Sequence, residues 1–467
     1  MMDCSRKERK ERKELSRAGG LSRAEARCAR AEGVGLPERS EPEGPQGAAR
    51  GGERRDLWFG EVPEGWEVKR LASYFSERKV KVSDKDFLPL SVTRNGIMPQ
   101  LENVAKTNDG DNRKLVRKGD FVINSRSDRK GSSGVSDYDG SVSLINLVLQ
   151  PRGGLYGAYC NYLLKSLSFV EENYRNGRGI VADLWTTRYD EMKMIKVAMP
   201  PLAEQKAIVA YLDAETGRID KAIAAEEKMI ALLQERREIV INEAVGGGLG
   251  DFSRKERKDR KGWEVRRLKN TTNGKVTDFM DGDWIESDVI TDSGIRYLTT
   301  GNVGPGFYKE QGNGYISEST FELLHCTEVY PGDLLISRLN EPIGRTCIIP
   351  ELGTRIVVAV DNVIYRPNEC LLNKRFIVYL LNSQEYATYM NLIARGSTMH
   401  RISRAMLGNV KISFPSLAEQ EAIVARLDEE TGKIDRAIAV KRRQIELLRE
   451  RRQIVIDEVV TGKVKVA

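Results

Sequence analysis

Histidine is nearly absent from this 467-residue chain: only His325 and His400 occur, on unrelated segments. Catalytic nucleophile–base pairs and zinc sites built on imidazole therefore have little to draw on. The six cysteines (Cys4, Cys28, Cys160, Cys326, Cys347, Cys370) show no CxxC spacing and read as scattered reduced thiols, with no metal expected. No stretch approaches the roughly 18 uninterrupted apolar residues of a membrane span. The N-terminal segment is charged and lacks the apolar core of a signal peptide, so a cytoplasmic location without membrane contact is expected. No Walker A loop and no Asn-Pro-Pro-Tyr-like methyl-transfer motif occurs, and the glycine run Gly301 to Gly306 places Pro305 where a phosphate-facing N–H is wanted. Acidic residues are abundant but not paired at a readable spacing. These absences argue against intrinsic catalysis.

What is present is enough for globular cores: 40% of residues are hydrophobic, while 31% are charged, somewhat above the usual quarter. The net charge of +7 does not by itself argue for nucleic acid. Residues 1–55 hold 14 Lys/Arg against 10 Asp/Glu, which leaves 61 against 58 for the rest. Any phosphate-binding surface must come from local segregation of charge.

A long segment occurs twice. Pro200 to Val245 returns as Pro415 to Val460, with 30 of 46 aligned positions identical at a constant offset of 215. Gly65-Trp66-Glu67-Val68 is echoed by Gly262-Trp263-Glu264-Val265, and Gly119-Asp120-Phe121-Val122-Ile123 by Gly332-Asp333-Leu334-Leu335-Ile336. Between these landmarks the halves diverge. One kind of task done twice, on two targets, is the simplest reading.

The organisation expected is a charged tail over residues 1–55, globular domains over 56–200 and 262–414, helical segments over 201–247 and 415–462, and a charged linker over 248–261. Ser5 to Lys13 and Ser253 to Lys261 are nearly the same charged string, too polar to bury.

In the first repeat Leu212, Thr216, Ile219, Ile223, Glu226, Ile230, Leu233, Arg237, Val240 and Ala244 step alternately by 4 and 3, a heptad seam. The second repeat places Leu427, Thr431, Ile434, Ile438, Lys441, Ile445, Leu448, Arg452, Val455 and Val459 on the same seam. An intramolecular antiparallel coiled coil satisfies both stripes, and the opposite charges of Glu226 and Lys441 favour pairing of unlike copies. Unbroken, 44 residues make a rod of roughly 66 Å. Gly217 and Gly432 cost about 1 kcal/mol each in a helix interior and mark where a kink or break would fall.

The globular segments read as mixed α/β. Asp120 to Ile123, Val142 to Leu149, Leu334 to Ile336 and Arg355 to Ile364 look like strands, and Tyr159 to Tyr174 and Lys374 to Ile393 like helices. Basic, polar turns follow in each domain. In the first they hold Asn124, Arg126, Arg129, Lys130, Arg175, Asn176 and Arg178; in the second, Arg338, Asn340, Arg395, Ser397, Thr398, His400 and Arg401. Arg and Asn suit bidentate reading of guanine and adenine edges, and hydroxyls suit phosphates, although surface loops are often this polar without binding anything.

Leu202-Ala203-Glu204-Gln205 with Ile208-Val209 and Leu212-Asp213, and its copy Leu417-Ala418-Glu419-Gln420 with Ile423-Val424 and Leu427-Asp428, resemble the repeated helical spacer of the specificity subunit of Type I restriction-modification systems. The resemblance covers about residues 60–460. It implies two target recognition domains that each read half of an asymmetric, bipartite double-stranded DNA site, with the helices setting the gap. It further implies a subunit without catalysis or cofactor of its own. Two methylation subunits would dock on the spacers, restriction subunits would join them, and S-adenosylmethionine, ATP and magnesium would sit on those partners. The polar turns lie where the family's recognition domains approach DNA. Residues 1–55 depart from the family pattern, which raises a misassigned start codon as an alternative to a native tail. A coiled-coil scaffold whose domains bind proteins is the other reading.

Overall fold

The computed structural model describes residues 57–101, 110–126, 129–179, 185–246, 262–339, 341–394 and 400–466. The charged strings at Ser5 to Lys13 and Ser253 to Lys261 lie outside them. Two mixed α+β domains sit on a pair of antiparallel helices, Leu202–Val245 and Leu417–Val460, each 44 residues long. Both helices run without interruption past Gly217 and Gly432, so packing outweighs the glycine cost.

Every seam position is buried or half-buried, from Leu212 to Ala244 and from Leu427 to Val459. Ile223, Ile230, Leu233 and Val240 are half-buried, whereas Ile434, Ile438 and Ile445 are buried. Ion pairs flank the seam: Asp220 with Arg452 and Arg237 with Asp435, each at 3.0 Å. The offset of 215 exchanges these two pairs, so they are related by the internal two-fold. Glu226 and Lys441 are each other's counterparts and meet at 3.0 Å, at the centre of that symmetry.

Each domain is closed by its Trp-Glu-Val strand, which pairs antiparallel with the strand leading into its helix: Glu67–Arg70 with Lys196–Met199, and Glu264–Arg267 with Lys411–Phe414. Each contains a four-stranded antiparallel sheet in the same order. In the first domain it runs Phe75–Glu77, Asn146–Pro151, Phe121–Asn124, Ser133–Val135; in the second, Phe279–Asp281, Asn362–Tyr365, Leu334–Ser337, Thr346–Ile348. Smaller sheets differ, and among the described residues the second domain alone has a parallel strand pair, Ile295–Leu298 with Ile356–Val358.

Four expected elements are divided. Val142 to Leu149 is two strands joined by the exposed Leu144-Ile145, and Arg355 to Ile364 is likewise two. The helix of Tyr159 to Tyr174 restarts at Ser166, whose hydroxyl accepts from Phe169 N–H. That of Lys374 to Ile393 restarts at Ser383, which accepts from Tyr386 N–H. N-capping serines make these breaks.

The core of each domain includes the start of its own helix and the end of the other. Ile208, Val209 and Leu212 join Ile456, Val459 and Val460 in the first, and Val424 and Leu427 join Ile241 and Val245 in the second. Gly462 lies so close to the first domain that a Cβ there would stand 2.3 Å from Pro63. Among the described residues no helix is long and apolar enough to cross a membrane.

The repeated Leu-Ala-Glu-Gln motif acts as a latch. Gln205 is buried, accepts from Tyr156 N–H at 2.9 Å and donates to Pro200 O. Gln420 accepts from Asn373 N–H at 2.8 Å and donates to Leu371 O and Pro415 O. About two turns later, Asp213 accepts from the Tyr162 hydroxyl and Asp428 from the Tyr379 hydroxyl, both at 2.7 Å. The opposite helix completes the grip: Asp457 accepts from Ser168 N–H, and Asn242 from Gln384 N–H, each at the first turn of a domain helix.

Candidate nucleic-acid interface

In both domains the strand that follows Gly-Asp delivers its loop against the second polar turn. In the first, Arg178 and Thr186 exchange backbone hydrogen bonds at 2.9 Å, Arg126 bridges to the other side of Thr186, and Thr187 N–H donates to Ser125 O. Two clusters about 50 residues apart in sequence thus form one surface. In the second, Leu339 bridges to Arg401, and Ile402 N–H donates to Arg338 O at 3.1 Å. Asn340, Arg395, Ser397 and Thr398 lie outside the described residues.

The first surface rests on an aromatic floor. Trp185 Nε1 donates to Tyr174 O at 2.8 Å, and the two rings lie 5.8 Å apart. Lys130 Nζ sits 4.5 Å from the Tyr174 ring centre and 2.6 Å from Glu171. Gly177 is required here, because a Cβ would lie 2.4 Å from Trp185 Nε1. Arg126 and Arg129 are exposed, as are Arg175, beside Glu172, and Arg178, 3.3 Å from Glu191. Asn124 and Asn176 are committed locally: Asn124 accepts from Arg126 N–H, and the Asn176 amide donates to Glu172.

Arg338 is a correction. It is 5% exposed and donates to Val360 O at 2.6 Å and Ile402 O at 3.2 Å, with Nε 3.1 Å from Asp281. Burial lowers its pKa while Asp281 and Asp361 raise it, and the guanidinium braces the loop from within instead of facing solvent. The reason is register. Counting from Gly119 and Gly332, Arg338 matches Ser125, whose hydroxyl bonds Ile145 O in the corresponding turn, and not Arg126. A one-residue slip in a strand's extension exchanges its faces.

The outward groups of the second surface are the imidazole of His400, 3.2 Å from Glu341, and the guanidinium groups of Arg401, 2.6 Å from Asp361, and Arg404, 3.4 Å from Asp281. Such exposed pairs are worth about 0–1 kcal/mol, so a phosphate can replace the carboxylate at little cost. Sequence reasoning missed Arg404, Trp185 and Arg345. Arg345 is buried and donates to Val303 O, Thr300 O, Leu339 O and Pro342 O, which ties two loops together. Its only signal is an arginine near an apolar strand.

Burial pushes the thiols of Cys160 and Cys347 up to about 12 and that of Cys326 up to about 11. Among the described residues no group of His, Cys, Asp and Glu gathers around a metal-sized space.

Comparison with known proteins decides what this architecture is. Residues 260–448 match the model of the type I restriction modification DNA specificity domain. The chain is similar to type I restriction enzyme specificity subunits over most of its length. It is 23% identical to the type I restriction enzyme MjaVIII specificity subunit of Methanocaldococcus jannaschii, over 87% of this chain and 94% of that one. With the EcoKI specificity subunit of Escherichia coli K12 it shares 22% identity over 79% of this chain and 83% of the relative. A solved chain from work on complex assembly and conformational transition of the type I R-M system shares the fold, with a TM-score of 0.64 at 18% identity, covering 86% of this chain and all of that one.

Proposed function

We propose that this chain is a specificity subunit that reads a bipartite, asymmetric double-stranded DNA site and scaffolds methylation and restriction subunits, without catalysis of its own. The observation that carries the reading is the strut: one antiparallel helix pair, latched at each end to a domain by the same glutamine and aspartate contacts. Two loop surfaces of different composition are thereby held apart by a fixed length. A rod of roughly 66 Å spans about two turns of B-DNA, each about 34–36 Å, so both domains reach the duplex from one side.

A second apolar stripe supports docking of two copies of one partner. Met229, Leu232 and Ile239 on the first helix, and Val440, Leu447 and Ile454 on the second, are 45–57% exposed and step along each helix outside the seam. Leu232 and Leu447, like Ile239 and Ile454, are related by the offset of 215, so each helix offers a similar face. Two methylation subunits bearing S-adenosylmethionine fit these faces, with ATP and magnesium on the restriction subunits and the cytoplasm as the site of action.

The test is equilibrium binding of the chain, with its methylation subunits, to duplex DNA across a salt series. A steep fall in log K with log salt and one two-part motif of methylated adenines in the source genome are expected. Salt-independent association, or no motif, overturns the reading in favour of a protein-binding scaffold.

A further inference from the structure

Trp284 stands apart from the other tryptophans. Of five, Trp58, Trp66, Trp185 and Trp263 are buried or half-buried, while Trp284 is 71% exposed. Its loop is held in place. Asp283 N–H donates to Val358 O at 2.8 Å, Val360 N–H donates to Asp283 O at 3.0 Å, and Asp283 Oδ2 accepts from Thr327 N–H at 2.8 Å. Gly282 makes that approach possible, since a Cβ there would lie 2.3 Å from Val358 O and 2.5 Å from Ala359 O. A large apolar ring is thus kept in water at a cost no packing offsets.

The neighbours of this loop are the cations of the second recognition surface. Asp281, three residues before Trp284, contacts Arg338 and Arg404, and Asp361, beside the bonded Val360, contacts Arg401. His400 precedes Arg401. Trp284 thus follows by three residues the carboxylate that pairs Arg338 and Arg404, on the loop whose backbone partner Val360 adjoins the carboxylate of Arg401.

We propose that Trp284 is a base-contacting specificity residue of the second recognition domain, presenting its indole face to the apolar surface of a base at one step of that domain's half-site. The inference rests on the DNA reading above. Arg401, Arg404 and His400 take the phosphates on either side, and the ring, uncharged and rigid, is left for the bases. An acidic protein partner would use the same cations but has no systematic need of the ring between them.

The experiment selects binders from a pool of random-sequence duplexes with the full chain in complex with its methylation subunits, comparing wild type, Trp284→Ala and Trp284→Phe. Wild type is expected to select a two-part motif. Trp284→Ala should bind that motif about 5- to 150-fold more weakly, the range for loss of recognition at one base pair of a duplex site. Its salt slope should be unchanged, and information should be lost at one or two positions of one half-site only. Trp284→Phe should retain most of the affinity. If Trp284→Ala selects the same motif with the same affinity, or loses its methylation subunits instead, the inference is overturned while the DNA reading stands. If wild type selects no motif, the DNA reading itself falls.

Discussion

In the first domain the loops carrying Arg126 and Arg178 lean on Trp185 and Tyr174, and a serine hydroxyl at position 125 bonds Ile145 O. In the second, the same position holds Arg338, which with Arg345 and two carboxylates braces loops from within. The sheets beneath have one strand order, and the latches to the helices share their glutamine and aspartate contacts, with Gln420 adding a bond to Leu371 O. Divergence falls in the loops and the smaller sheets. A scaffold whose attachment is invariant can change its reading surface, and even the chemistry that stiffens it, without loosening the geometry between the two surfaces.

The most severe challenge to that view removes what both domains share. Ile445→Asp buries an unpaired charge in the seam and should lower stability by about 4–5 kcal/mol. Ile230→Asp, at a half-buried position, should cost less. Thermal unfolding of both variants checks this, and an unaltered Tm for Ile445→Asp would refute the seam.

Next, Arg338→Met leaves Asp281 and Asp361 without their buried partner and should destabilise the second domain by about 3 kcal/mol. Ser125→Ala, its register match, should cost about 1 kcal/mol. Urea unfolding that found the two equal would erase the contrast between the domains.

The latches predict sameness. Gln205→Ala and Gln420→Ala should each cost about 2 kcal/mol, since each strands buried backbone groups, and hydrogen exchange should rise at Tyr156 and Asn373 respectively. Smallest of all, Glu226→Lys sets two ammonium groups face to face at the centre of symmetry and should cost about 0.5–1 kcal/mol, restored by Lys441→Glu in the double variant.

The strut was legible in sequence because its signal is local: a 4–3 apolar step sustained over ten positions, twice. The Gly-Asp strands were legible for the same reason. What escaped depends on distant partners or on single residues. Closure of each domain by Glu67–Arg70 and Glu264–Arg267 could not be read, since these short strands are exposed along their length and pair about 130 to 150 residues away. The turn at Leu144-Ile145 carries no glycine or proline to announce it. Arg338 looked like Arg126 because both follow serine, and only counting back to Gly-Asp shows that they fall on opposite faces.

Because each domain is gripped by the beginning of one helix and the end of the other, the polypeptide is laid out almost as a closed circuit, with Gly462 against Pro63. No cut between residues 246 and 262 would divide it into a first domain and a second. Each fragment would keep one domain but supply half of the grip on the other, so a chain nicked there would remain a single interlocked body until the seam itself opened. Persistence of the geometry is in this sense a property of the circuit, insensitive to where the backbone happens to be broken.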